Sequence, residues 1–492
     1  MSKMKTLVCL AVASALQVLS GASGAQELGE ASRGALLDAV RKAVTNNPEV
    51  QSSWHGYLAA SAARDVARGG YFPQIDLNAG YGHRWRKEPK HSSDDWDYGG
   101  VGFDLKQMVY DGFATSSEVK RMSYTRLMRY YDLLGASENA GLEVVRAYAD
   151  VQRYRELVEA AKANYAMHKQ HHSKLDTRAD AGVSRRVDLD QAIGRLALAE
   201  SNLLTELSNL HDVSARYQRL VGELPPDAMS PLEDDFNNVQ LPENVVVALN
   251  TAYVSNPGFN SAIENVRAGM ANRDVARSNY HPKFDLLART GVDRNLNNRD
   301  PSTGGLKGDP STGGLKGNTR ESTVELRMNF NIFRGGSDAA RVRQAGEELE
   351  QAKDLREKAC RDLRQSLVIA YQNINSLNEQ LGYRERHYLM TVKARDAFLL
   401  QFGAGTRTLL DLLDTENEVF VSQRALTNAR YDLLVTQAAT LSEMGQLLRT
   451  LGVVREDLPS LQDIGQDRDV VDPADMCPAD APVQLTVDKG RL

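Results

Sequence analysis

Beyond its N-terminal leader the chain has no apolar run approaching the roughly 18 residues that a membrane-crossing helix needs. Any passage through a bilayer would therefore fall to β-strands, whose signal per segment is weak. Cysteine is almost missing, with three in 492 residues. Cys9 lies in the leader. Cys360 and Cys477 are too few for a disulfide framework and no bond between them is expected, although an oxidising compartment would permit one. Proline is absent from 115–180 and from 338–402, so nothing there stops a helix outright. At about 1.5 Å per residue each stretch reaches roughly 100 Å. Positive charge is not in excess, since 59 basic residues face 65 acidic ones and the net charge is −6. That excludes the basic footprint of a nucleic-acid binder. There is no Gly-rich phosphate loop, because Gly304-Gly305 and Gly313-Gly314 belong to a short tandem duplication. No nucleophile motif is present either. No enzyme activity, cofactor or metal is expected.

What is present begins with a secretory signal. Lys3 and Lys5 precede an apolar run from Thr6 to about Leu19, and small residues follow. Cleavage is expected after Ala25, with Ser23 three residues before the cut. Cys9 comes too early for a lipoprotein cleavage site.

The mature chain is one unit written twice. Residues 64–77 read RDVARGGYFPQIDL and residues 273–286 read RDVARSNYHPKFDL, an offset of 209 that also carries Asn47-Pro48 onto Asn256-Pro257. Further on the offset is 223, and it maps Gly112 onto Gly335, Tyr148 onto Tyr371, Gly182 onto Gly405 and Asp188 onto Asp411. A repeat of this size is too long for a solenoid period. It means two similar halves. The organisation read from it is a signal peptide at 1–25, a first repeat at 26–222, a linker at 223–243, a second repeat at 244–453 and an unstructured acidic tail at 454–492.

Each half runs in the same order. A helix with an Asn-Pro break ends at an aromatic residue and a proline (Phe72-Pro73; Tyr280 and Pro282). A β-hairpin follows, at about 73–110 and about 282–334. Ile75, Leu77, Ala79 and Tyr81 alternate with polar residues. So do Val101, Phe103 and Leu105, and Val324, Leu326, Met328, Phe330 and Ile332. Period two marks strands with one apolar and one polar face. The second hairpin tip holds DPSTGGLKG twice, at 300–308 and 309–317, and reads as a mobile loop. A long helical hairpin closes each half, at 113–221 and 336–450. Its outgoing helix carries a 4,3 stripe through Ala147, Val151, Tyr154, Val158, Ala161, Tyr165, His168, His172 and Leu175, the spacing of a coiled-coil seam. The return helix carries Ile193, Leu196, Glu200, Leu203, Leu207, Leu210, Ser214 and Tyr217.

Two strands per half cannot close an edge, nor can four per chain. In lipid every backbone group must be paired, and about eight strands are the practical minimum for a barrel. Assembly is required; two chains supply eight strands and three supply twelve. Order, duplication and lengths resemble the TolC-like outer membrane efflux protein family over about residues 28–453. The resemblance is sharpest in QFGAGTRTLLDLLDTENEVF at 401–420 and in RDVARSNYHPKFDL. It implies an α+β membrane protein, a homotrimer with one twelve-stranded barrel in the outer membrane continued by a helical barrel through the periplasm. It also implies passive conduction, with energy from an inner membrane pump (ABC or another class) acting through a periplasmic adaptor, the membrane fusion protein.

Arg407, Asp411 and Asp414 are spaced to share a helix face, and spacing alone describes a solvated helix start whose acids suit the helix dipole. The resemblance implies more: that Asp411 and Asp414 ring the closed periplasmic entrance, that Arg407 helps latch it and that Asp188 joins them. Phe402 stands where the family has a latch tyrosine and lacks its hydroxyl. Gly182, Val183, Ser184, Gly405, Thr406 and Arg407 are hairpin-tip residues that ordinary turn chemistry explains; by resemblance they meet the adaptor. His168, His171 and His172 have ligand-like spacing, but no acidic or cysteine partner lies nearby in sequence and no metal site is expected. The tip sequence and the missing lipoprotein signal favour type I protein secretion over multidrug efflux. The alternative of another class is a periplasmic coiled-coil adaptor, which would need no amphipathic strand hairpins.

Overall fold

The fold was obtained as a computed structural model that describes residues 34–86, 94–181, 185–232, 236, 241–295, 318–455, 457–461, 463–464 and 477–478. The expected signal peptide, the duplicated loop at 300–317 and the tip residues Gly182, Val183 and Ser184 lie outside them. Each half opens with two helices split at Asn-Pro: α1 (Ala35–Asn46) and α2 (Pro48–Gly69), then α5 (Val245–Ser255) and α6 (Pro257–Arg277). The Asn47 side chain accepts the Glu49 N–H at 2.9 Å and that of Asn256 accepts the Phe259 N–H at 2.8 Å. Proline follows at the first helical position, where its missing N–H costs nothing. The same two residues thus end one helix and cap the next in both halves.

β1 (Gln74–Arg86) and β2 (Asp94–Tyr110) form the first hairpin, β3 (Lys283–Asn295) and β4 (Asn318–Asn329) the second, and β2 pairs with β3 to give one antiparallel sheet in the order β1-β2-β3-β4. The register aligns Ile75, Leu105, Ala288 and Val324 in one cross-sheet row and Gln107, Leu286 and Leu326 in the next. The opposite face carries Asp76, Asp104, Arg289, Lys106, Asp285 and Glu325. Ion pairs tie that polar face across strands, Lys106 to Asp285 at 3.5 Å and Arg289 to Asp104 at 3.4 Å. Among the described residues the apolar face has no cover: Leu77, Phe103, Val324 and Leu326 are all exposed. β4 ends at Asn329, short of the expected Ile332, because the turn into the next helix begins there; Phe330 and Ile332 lie exposed beyond it.

The helical hairpins are α3 (Ala114–Asp180) with α4 (Arg186–Val221), and α7 (Ser337–Gly403) with α8 (Leu409–Glu443); a last turn, α9 (Leu447–Thr450), follows. α3 and α7 have 67 residues each, so each spans about 100 Å. Toward the sheet, α2, α3, α6 and α7 pack side by side; away from it, α4, α3, α8 and α7 do. Entry into α3 is tight. Gly112 has φ +71°, and a Cβ there would meet the His281 Cβ at 2.5 Å and the Ser278 carbonyl at 2.7 Å. Phe113 after it also takes a left-handed conformation, φ 67°. Among the described residues no helix is long and apolar enough to cross a membrane.

Three expectations are corrected here. On α4 the buried positions are Ala192, Ala199, Glu206, Val213, Tyr217, Leu220 and Val221; of the expected stripe Tyr217 is buried, whereas Ile193 and Leu207 are exposed. Apolar residues occupy two faces of α4, and the small alanines, not the isoleucine, let it approach α3. On α3 the seam runs through Asn164, His168, His171 and Leu175, so His171 takes the place expected for His172. Third, Cys360 and Cys477 are joined by a disulfide, and the described part of the tail is packed. Leu458, Leu461 and Ile464 lie on Trp54, Tyr57 and Tyr130. Tyr130 and Tyr253 donate hydrogen bonds to the carbonyls of Pro459 and Pro478. An acidic, proline-rich composition concealed three well-spaced apolar anchors.

Candidate functional site

The far ends of the two helical hairpins meet. One small apolar cluster joins Leu175 of α3, Ala192 and Leu189 of α4, Phe402 of α7, and Leu409 and Leu413 of α8. Phe402 therefore packs into this tip with its ring; nothing about its position calls for a hydroxyl.

The turn between α7 and α8 closes as a glycine-dependent C-cap. Gly405 has φ +74°, its N–H reaches the Phe402 carbonyl at 3.0 Å and the Thr406 N–H reaches that of Gln401 at 2.9 Å, the paired bonds of a Schellman motif. Thr408 then caps α8. Its hydroxyl accepts the Asp411 N–H at 3.3 Å and its own N–H donates to the Asp411 carboxylate at 3.3 Å, a reciprocal capping box, and the hydroxyl also donates to that carboxylate at 2.8 Å. Asp411 is exposed, and its carboxyl is held below the usual range by the Thr408 hydroxyl first, then by the Thr408 N–H and Arg407.

Arg407 lies before the helix, not on its face. It reaches Asp411 at 3.6 Å, turns its Nε back to the Gln401 side chain at 3.1 Å and lies over the Phe398 ring at 4.4 Å. Asp414 does not join this group. It pairs with Arg195 of α4, 219 residues away. The sequence-expected trio is thus split: Arg407 and Asp411 stay with the turn, and Asp414 crosses to the other hairpin. Asp188 sits half-buried in the first turn of α4. Arg195, which sequence reading missed, ties α4 to α8. Its only sequence signal is that it lies seven residues, two helical turns, beyond Asp188.

Above the tip, His168 and His171 are buried between the helices, 2% and 4% exposed. Burial lowers both, His168 to about 4, with His171 and Arg195 adding to the shift; for His171 the second cause is Lys174. Glu416 of α8 is also buried, and burial raises its carboxyl against the pull of Arg395, 3.6 Å away on α7. Among the described residues no group of three or more His, Cys, Asp or Glu is arranged to hold a metal.

A profile of the outer membrane efflux protein family matches residues 39–223 and 248–445. The chain belongs to the outer membrane efflux protein family. This is the TolC-like family that residues 401–420 resemble. Its place is the cell outer membrane, and its helical hairpins extend into the periplasm. The outer membrane efflux protein BepC of Brucella suis is 26% identical over 441 residues, covering 89% of this chain and 91% of its own. The alkaline protease secretion protein AprF of Pseudomonas aeruginosa is 23% identical over 420 residues, 82% of each chain. The fold is shared with the CmeC outer membrane channel of Campylobacter jejuni, TM-score 0.72 at 15% identity, covering 89% of this chain and 94% of that one. Membership sets aside the adaptor alternative.

Proposed function

We propose that three copies of this chain close their sheets into one twelve-stranded barrel and their hairpins into one tunnel, forming a passive exit duct across the outer membrane. The observation that carries this reading is the sheet itself. It has four strands, an exposed apolar face and two outer edges, on β1 and β4, that no strand among the described residues pairs. Lipid tolerates no such edge, and an open edge is a template for pairing. A second copy's β1 beside β4 satisfies both demands. The outward apolar residues of α4 and α7, such as Leu204 and Leu400, would meet in the same way.

The duct takes its substrate from an inner membrane pump, ABC or another class, through a periplasmic adaptor that meets the hairpin tips at Gly182, Val183, Ser184, Gly405, Thr406 and Arg407. A secreted protein is favoured as cargo. A relative named for protease secretion aligns over most of both chains, and the tip sequence agrees.

Arg407, Asp411, Asp414, Asp188 and Phe402 form the periplasmic entrance. Asp414 is paired with Arg195, and Asp411 with Arg407 and Thr408, and both carboxylates keep an exposed side. In planar bilayers Asp411→Ala and Asp414→Ala should each weaken block by multivalent cations. Arg407→Ala should raise open probability severalfold, since it frees the turn from Gln401 and Phe398. Parent-like conductance and cation block in all three variants would remove the entrance reading and leave a capped, solvated helix start.

A further inference from the structure

The layer just above the tip holds more buried nitrogen than its packing can satisfy. His168 Nδ1 and His171 Nε2 are buried without a hydrogen-bond partner among the described residues. The groups facing them are cations more than anions. Lys174 lies on α3 itself and Arg195 comes from α4. On α8, Asp414 is held by that same Arg195. About one turn higher, the Asn164 amide donates to the Glu416 carbonyl at 3.5 Å; Arg395 of α7 engages Glu416 Oε2, while Oε1 is buried without a partner among the described residues. Asp411 is occupied by Thr408 and Arg407. A proton added to either imidazole would therefore create a buried charge beside the cations Lys174 and Arg195.

We propose that His168 and His171 form a proton-operated release at the periplasmic entrance: their protonation drives Arg195 from Asp414 and frees α8 from α4. The proposal rests on reading these tips as the entrance of a channel. Its physical basis is linkage. In the packed tip His168 takes up protons only near pH 4, against 6.5 for a hydrated imidazole. The packed form binds fewer protons than the loosened one, so it is favoured above about pH 6.5 and loses ground as pH falls toward 4. Across that window His168 moves the ratio of loose to packed tip by up to about tenfold per pH unit, and His171, also lowered by burial, acts in the same direction. The lowered Asp411 carboxyl works in the same direction as the imidazoles, whereas Glu416, raised by burial, opposes them because the packed form holds its proton more readily.

The test is amide hydrogen exchange on the full-length, detergent-solubilised protein at about pH 7.5 and about pH 5, expressed as protection factors so that the intrinsic rate cancels. Protection of peptides covering 160–180 and 409–420 should fall by about 30-fold at the lower pH for His168 alone. His168→Gln with His171→Gln should flatten that response. His168→Asn, which keeps a neutral polar group of similar depth, should flatten it in part and guards against a folding defect in the double variant. No acid response in the parent, or the same response in parent and variants, overturns the proposal. Bilayer conductance of the same preparations separates the two readings. Current that rises with acid in the parent and not in the variants supports both. No current at any pH, with the exchange response intact, removes the channel and leaves the proton release.

Discussion

Glu138 of α3 is buried beneath the start of α9 and accepts the Leu448 N–H at 3.4 Å. Burial pushes its carboxyl from 4.5 up to about 7, and the N–H groups of Leu448 and Leu447 offset part of that shift. The folded state thus holds a proton that the unfolded chain releases at lower pH. Stability contributed by the protonated carboxyl is fully present below about pH 4.5 and is lost as pH rises through about 7. Glu138→Gln keeps an acceptor for the N–H groups and removes the titration. It should stabilise the protein above pH 7 by on the order of 2–3 kcal/mol and change little at pH 4. Thermal unfolding of parent and variant across that range checks the crossover. At the tip, residue-level legibility was uneven. Asp411 was readable as an acid at a helix start because it follows closely on the Gly405 turn. Arg195 was not, since its partner Asp414 is 219 residues distant and neither residue's own helix announces the pair.

The strands were legible because the pleat forces period two on any sheet with unlike faces, and Val324 to Met328 obey it. Their consequence is directional. Leu326 lies in the apolar rows and Glu325 on the polar face. Leu326→Arg should cost about 2–4 kcal/mol of membrane-inserted stability, visible as loss of heat-resistant assembly in detergent gels, while Glu325→Gln should leave assembly intact. Equal effects of the two would invert the proposed facing of the sheet. The long helices were legible from missing proline, but the phase of α4 was not. Ile193, Leu198, Leu204 and Leu207 are exposed while Ala192 and Ala199 are buried; a helix with two apolar faces does not disclose which one its own chain covers. The exposed face is the one a neighbouring copy would bury.

At the scale of the whole molecule, the tail and the disulfide bind the two repeats into one body. The tail crosses α2 and α3 of the first half, where Arg126 donates to the Ile464 carbonyl at 2.5 Å, and reaches α7 of the second at Cys360. The bond closes 117 residues of chain, and a loop of that length gains about 4–5 kcal/mol in the chain-entropy account. Cys360→Ser with Cys477→Ser should lower the thermal midpoint by several degrees without dissociating the assembly. A loss of assembly would show that the belt holds subunits together as well as halves. The duplicated architecture was readable from the 209 and 223 offsets. The covalent closure was not, because two cysteines in so long a chain carry no spacing signal.

The central claim is that one chain's open sheet is completed by other copies of itself. The mass of the detergent-solubilised protein, measured by light scattering corrected for bound detergent, tests it most directly. One chain is 54.3 kDa before any processing, so closure into twelve strands predicts a protein mass of about three chains. A monodisperse single chain that retains its full β-strand signal in that measurement would contradict the account.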